Sequence, residues 1–99
     1  MPAKPIVAEL YTTKDCGLCR EMKSVLEQVC GEYPVTISEI DIGTDPSLEA
    51  RFASEVPVLY LDGRKAFKFR LSAATLRRKL MFVLWQRRLF GQVAKEAGR

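Results

Sequence analysis

The chain has 99 residues, 47% of them hydrophobic, with sixteen Lys and Arg against twelve Asp and Glu and no histidine, a net charge of +4. Such a length predicts one domain, residues 1–99, with an ordinary core, and three cysteines are too few for a disulfide-dense scaffold. The opening MPAKPIVAEL lacks the apolar stretch of a secretory leader, and the longest apolar run, LMFVLW, is too short to span a bilayer, so the expectation is a cytoplasmic protein without a membrane partner.

The elements follow in chain order. PIVAELYT (5–12) is β-branched and apolar with few breaks, as in a strand covered on both faces. From Leu18 the period changes: Leu18, Met22, Val25, Leu26 and Val29 fall on one helical face, with Arg20, Glu21, Lys23 and Glu27 around it, and Gly31 stops the helix. YPVTISEIDI (33–42) is a second strand, and TDPSLEARF a short helix with a capping residue and Pro46 near its first position. VPVLYLDGRKAFKF (56–69) reads as two strands around a turn at Asp62-Gly63. Ser72 then caps a last helix from about Ala73 to Phe90, and residues 81–99 form an extended basic helix and tail. The order β-α-β-α-β-β-α predicts an α/β domain, a four-stranded mixed sheet with flanking helices. The shortness of the second helix leaves the third strand free to enter antiparallel, and the fourth closes as a hairpin edge.

Two cysteines stand where the first strand gives way to the first helix, in TTKDCGLCREM (12–22). A helix N-terminus carries partial positive charge and unpaired N–H groups, which favour a thiolate. A free thiol is only about 3% ionised at neutral pH, and each unit of pKa depression raises that nearly tenfold at first. Lys14 adds a positive charge nearby, and Asp15 partly opposes it. Cys16 is therefore the expected nucleophile, and Cys19, one turn into the helix, the expected resolving thiol. A zinc site within one chain is disfavoured by the absence of histidine and the distance of Cys30, which reads as a half-buried packing residue.

With LYTTKDCGLC, EIDI and EVPVLYLDG in this order, the sequence resembles the glutaredoxin branch of the thioredoxin-like family over roughly residues 6–80. The resemblance implies a dithiol thiol–disulfide oxidoreductase with a cis proline at Pro57 facing the cysteines. It implies that Val56, just before, offers its backbone to an extended substrate, a protein disulfide or glutathione. It implies no bound cofactor, only an electron donor, glutathione or a thioredoxin-type reductant. A cluster shared by two chains through Cys16, with glutathione thiolates, is a family-based alternative. The departures are specific. Gly17-Leu18 replaces the usual pair between the cysteines, and Lys68, Phe69 and Ser72 stand about where glutaredoxins have two glycines and an acid. Lys14, Val56 and Arg70 remain as groups that could hold glutathione.

Charge divides the chain. Residues 1–63 carry five basic and eleven acidic side chains, and residues 64–99 eleven basic and only Glu96 as an acid. On the last helix Leu76, Leu80 and Val83 form a core stripe, with Leu84 and Phe90 on its flanks. Met81, Trp85 and Leu89 run along the opposite side, near Arg77, Arg78 and Arg88. This second stripe is expected to serve a homodimer or a protein partner, or else to reflect a kink in the helix or a tail after Gly91 that folds back over it. Nucleic acid is disfavoured by the acidic remainder of the chain and the lack of a recognised motif. A thioredoxin-like binding module with little redox turnover is the alternative to an enzyme.

Overall fold

A computed structural model describes residues 4–97, with side chains through residue 89. In chain order the elements are β1 (Ile6–Thr12), α1 (Gly17–Cys30), β2 (Val35–Asp41), a 3-10 turn (Ile42–Thr44), α2 (Pro46–Phe52), β3 (Val58–Leu61), β4 (Arg64–Lys68) and α3 (Ala73–Ala97). The four strands form one mixed sheet in the order β2-β1-β3-β4. β1 runs parallel to β2, and β3 runs antiparallel to both β1 and β4. The short α2 thus returns the chain in the opposite sense, and β4 is the hairpin edge.

Alternation along β1 sorts the two layers. Ile6, Ala8 and Leu10 point to one face, where Leu59 and Leu61 of β3, Met22, Leu26 and Val29 of α1, and Leu76 and Leu80 of α3 close the main core. The other face holds a smaller cluster of Ile42, Phe52 and Val58, with Tyr11, Leu48, Val56 and Tyr60 against it. Here β1 departs from its expected double coverage: Val7 is 43% exposed. The reason is length. α2 has seven residues, about 10 Å of helix, against about 23 Å of strand.

The hairpin turn uses Asp62 (φ 51°) and Gly63 (φ 82°), the two left-handed residues that a two-residue turn of this hand demands. Asp62 also does long-range work. Its Oδ1 accepts from the Val7 N–H at 2.9 Å, and its Oδ2 pairs with Arg87 Nη2 at 2.7 Å. Arg87 further donates to the carbonyls of Lys4 and Pro5, so α3 is fastened to both the turn and the first strand. Nearer its start, α3 is tied to the segment after α1 by Arg77, whose Nε and Nη2 meet Glu32 at 2.8 and 2.9 Å. α3 also runs past the expected end at Phe90, through Gly91, to Ala97. One glycine costs a helix only about 1 kcal/mol and does not end it alone.

Candidate functional site

The cysteine pair is built by the junction of β1 and α1. After Thr12 the chain turns through Asp15, whose φ of 56° is left-handed, and arrives at Cys16 in extended conformation (φ −115°, ψ 106°) as the N-cap of α1. The cap atom is sulfur: Cys16 Sγ accepts the Cys19 N–H at 3.1 Å. The two sulfurs lie at disulfide distance, with Cα atoms 5.2 Å apart. They are not equivalent. Cys16 is partly exposed, whereas Cys19 faces inward at 4% exposure. A sulfur that receives a backbone N–H at a helix N-terminus is a place where negative charge is stabilised.

At the end of β1 lies a polar link that the sequence did not disclose. Thr12, a buried polar residue, donates from Oγ1 to Glu39 Oε2 at 3.3 Å, and Glu39 in turn pairs with Lys23 Nζ at 2.9 Å. The hydrogen bond to Glu39 raises the pKa of the Lys23 ammonium. The trio joins the end of β1, the middle of β2 and the second turn of α1. Only tertiary pairing brings those positions together.

The peptide bond between Val56 and Pro57 is cis, and Pro57 is buried. The backbone around it is largely committed: the Val56 N–H donates to the Phe52 carbonyl at 3.1 Å, closing the chain onto the end of α2, and the Pro57 carbonyl accepts the Phe69 N–H at 2.9 Å. Of the Val56 backbone, only the carbonyl has no partner among the described residues. The Val56 donor is thus taken by the turn after α2.

Phe69 occupies one of the positions where the sequence comparison led to glycine, and its backbone adopts the glycine conformation anyway, with φ 71°. The Arg70 N–H bonds to the Lys68 carbonyl at 2.9 Å across it, a γ-turn, which is strained with a bulky residue at its centre. This turn forms one wall of a groove of about 240 Å³, lined by Leu18, Glu21 and Met22 of α1 and by Phe69, Arg70, Leu71 and Ser72. Arg70 reaches across it to Glu21 at 3.8 Å, with both side chains well exposed. Of the sequence-predicted site residues, Cys16 and Cys19 are brought together and Arg70 joins the groove wall. Lys14 is exposed, with no hydrogen bond or ion pair among the described residues. Cys30 is partly exposed at the end of α1, its thiol directed to the Glu27 carbonyl.

The second stripe of α3 is open to solvent: Met81 is 59% exposed, Trp85 51% and Leu89 47%, and Phe82, which helical spacing alone left off the stripe, is 46% exposed and stacked on Trp85. Arg77 does not flank it freely, because Glu32 holds its guanidinium. The expected flank at Phe90 falls beyond the described side chains, and the expected fold-back after Gly91 does not occur as far as Ala97, because α3 continues as one helix to that residue.

Residues 8–81 match the family model of the glutaredoxin-like domain (DUF836). Among solved structures, target protein XcR50 from X. campestris is 30% identical, with 74% of this chain and 93% of that one covered and a TM-score of 0.64. Protein Ne2328 from Nitrosomonas europaea is 21% identical over 81% of this chain and 96% of that one, at a TM-score of 0.69. A mutant thioredoxin from Halobacterium salinarum shares the fold at 21% identity, a TM-score of 0.60, and coverage of 78% and 73% of the two chains. No curated protein matches the chain.

Proposed function

The chain belongs to the glutaredoxin-like domain family (DUF836), and on that premise we propose that it is a thiol–disulfide oxidoreductase, with Cys16 as attacking thiolate and Cys19 as resolving thiol. The observation that carries this reading is the asymmetry of the pair: two sulfurs within bonding reach, one partly exposed at a helix N-terminus, the other inside. Attack on a disulfide needs an exposed thiolate; resolution needs a second thiol that an outside disulfide does not reach first.

The chemistry balances in two exchanges. Cys16 thiolate attacks one sulfur of the substrate disulfide, that bond breaks, and the departing sulfur leaves as a thiolate that takes up a proton. A mixed disulfide between Cys16 and the substrate remains. Cys19 then loses its proton and attacks Cys16 Sγ, which closes the Cys16–Cys19 disulfide and frees the second substrate sulfur as a thiol. The substrate gains two electrons and two protons. Two glutathione thiols, or one thioredoxin-type dithiol, return the pair to the reduced state. The substrate lies along the Val56-Pro57 edge, where the free Val56 carbonyl accepts one backbone N–H, with Lys14 and Arg70 as the cations that hold it.

The test is a redox titration in glutathione buffers with mass spectrometry of trapped samples. The wild type is expected to lose two hydrogens on oxidation and Cys16→Ser to lose none, while Cys19→Ser accumulates a mixed disulfide on Cys16. A wild-type pair that stays reduced in strongly oxidising buffer overturns the reading. A binding module with a passenger dithiol is the second reading, favoured by the uncovered stripe on α3. It requires partner binding to survive Cys16→Ser unchanged, with no disulfide reduction by the wild type.

A further inference from the structure

We propose that the outer face of α3 docks this domain peripherally on an anionic lipid surface. The proposal stands apart from the cysteine chemistry. Four of the large apolar side chains that remain exposed, Met81, Phe82, Trp85 and Leu89, share one side of this helix, opposite the stripe that Leu76 and Leu80 bury. Counting about 100° per residue, they span about 100° of arc; Arg88 lies about 20° outside one border and Lys79 about 60° outside the other, while Arg78 sits at the N-terminal end of the ridge.

The structure separates these cations from the other two arginines of the helix described with side chains. Arg77 and Arg87 are consumed by Glu32 and Asp62. Arg78, Lys79 and Arg88 form no ion pair among the described residues. Arg78 bonds only to the Thr75 hydroxyl, and the Lys79 ammonium lies 5.5 Å from the centre of the Phe82 ring. An apolar ridge with uncompensated positive charge along both borders calls for a surface that is apolar beneath and anionic on either side.

Three occupants have to be weighed against that pattern. A second copy of the chain would bring one excess of cations against another, since residues 64–99 contain a single acid. An acidic protein would need a groove with acidic walls on both sides, because the ridge is convex, formed by one helix. A leaflet with anionic headgroups meets both demands without a preformed groove. Trp and Phe suit the boundary between headgroup and acyl chain, and Arg and Lys extend from the flanks to the phosphates. The contact is superficial: among the described residues no helix is long and apolar enough to cross a membrane. The expectation that membranes play no part came from the absence of a span, and a ridge of this kind needs none.

Trp85 is the sole tryptophan, so its emission reads the contact directly. The full chain would be mixed with vesicles of phosphatidylcholine carrying roughly a third phosphatidylglycerol, and with vesicles of phosphatidylcholine alone. The expected result is co-sedimentation and a blue-shifted Trp85 emission with the anionic vesicles only, weakened by salt. Arg78→Gln with Arg88→Gln should cut partitioning about 25-fold, at about fivefold per cation, and Met81→Ser with Leu89→Ser should abolish the blue shift. All four side chains are exposed, and unchanged thermal melts verify that each variant is folded. Absence of binding to anionic vesicles overturns the proposal, as does binding that ignores these substitutions. A blue shift without lipid that grows with protein concentration assigns the face to self-association, and one produced equally by an acidic peptide such as polyglutamate assigns it to a protein partner; either overturns the lipid assignment.

Discussion

The two long helices begin alike and are equipped for different work. α1 is capped by Cys16, whose sulfur accepts the Cys19 N–H at 3.1 Å, and α3 by Ser72, whose hydroxyl accepts the Thr75 N–H at 3.2 Å. In each the cap side chain reaches the backbone three residues on, meeting a donor that the first turn leaves unpaired. The hydroxyl ends there, bonded also to the Thr75 hydroxyl. The sulfur keeps a second capacity, because it can ionise, leave the cap and form a covalent bond with the residue it caps. One local arrangement thus serves as structure at α3 and, in the function proposed, as a reactive site at α1, and the atom at the cap makes the difference.

Exchanging the cap atom separates the two roles. Cys16→Ser retains a good cap and removes the nucleophile, so disulfide reduction should fall by about a thousandfold or more. Under reducing conditions its melting temperature should stay near that of the wild type. Ser72→Ala is the converse: about 1 kcal/mol of stability is lost, a fall of about 4–8 °C in the melting temperature, with the reduction rate nearly unchanged. A reduction rate that survives Cys16→Ser would break the comparison, since the cysteine cap would then be no more than a cap.

Much of this arrangement is legible in the residues. Asp62-Gly63 announces its turn because only such residues tolerate two left-handed positions in a row, and the apolar spacing from Leu18 to Val29 can describe only a helix face. The Cys16–Cys19 spacing is visible for the same reason: it is local. What escapes is set by distant partners. Nothing near Arg77 or Arg87 reveals that Glu32 and Asp62 will hold them, so the arginines and lysines of α3 look equivalent until the fold sorts them. Val7 reads as buried because its neighbours are apolar, but its exposure depends on how far a helix forty residues later extends. Phe69 is misleading in the other direction: its side chain argues against a left-handed turn, yet the hydrogen bond to the Pro57 carbonyl holds it there.

Phe69 also offers a finer test of how α3 is approached, since its turn carries the chain from β4 to the Ser72 cap. A left-handed backbone costs an ordinary residue about 1–2 kcal/mol, and the extra freedom of glycine in the unfolded chain returns about half of that. The ring is 41% exposed, with the Lys68 ammonium 5.3 Å from its centre, so some packing is lost with it. Phe69→Gly should therefore raise stability by about 0.5 kcal/mol in urea titration, and Phe69→Val should lower it, being β-branched. Destabilisation by glycine would show that the ring on the groove wall outweighs the strain beneath it.

The smallest effect lies where α1 and α3 are fastened together. The Arg77 hydrogen bond holds the Glu32 carboxyl below its ordinary pKa, with partial desolvation opposing, and the same bond raises Arg77. A lowered folded value fixes the sign. The pair contributes fully above the ordinary carboxylate range, and the contribution disappears as the pH falls through the lowered value, where folded Glu32 takes up its proton. Both side chains are partly exposed, so screening keeps the effect modest and makes it smaller still in salt. Thermal melts of the wild type and Glu32→Gln should differ most near neutral pH and converge on acidification. A difference that stays constant with pH would mean that Glu32 positions α3 by packing alone, and that the charge on Arg77 contributes nothing to the joint between the two helices.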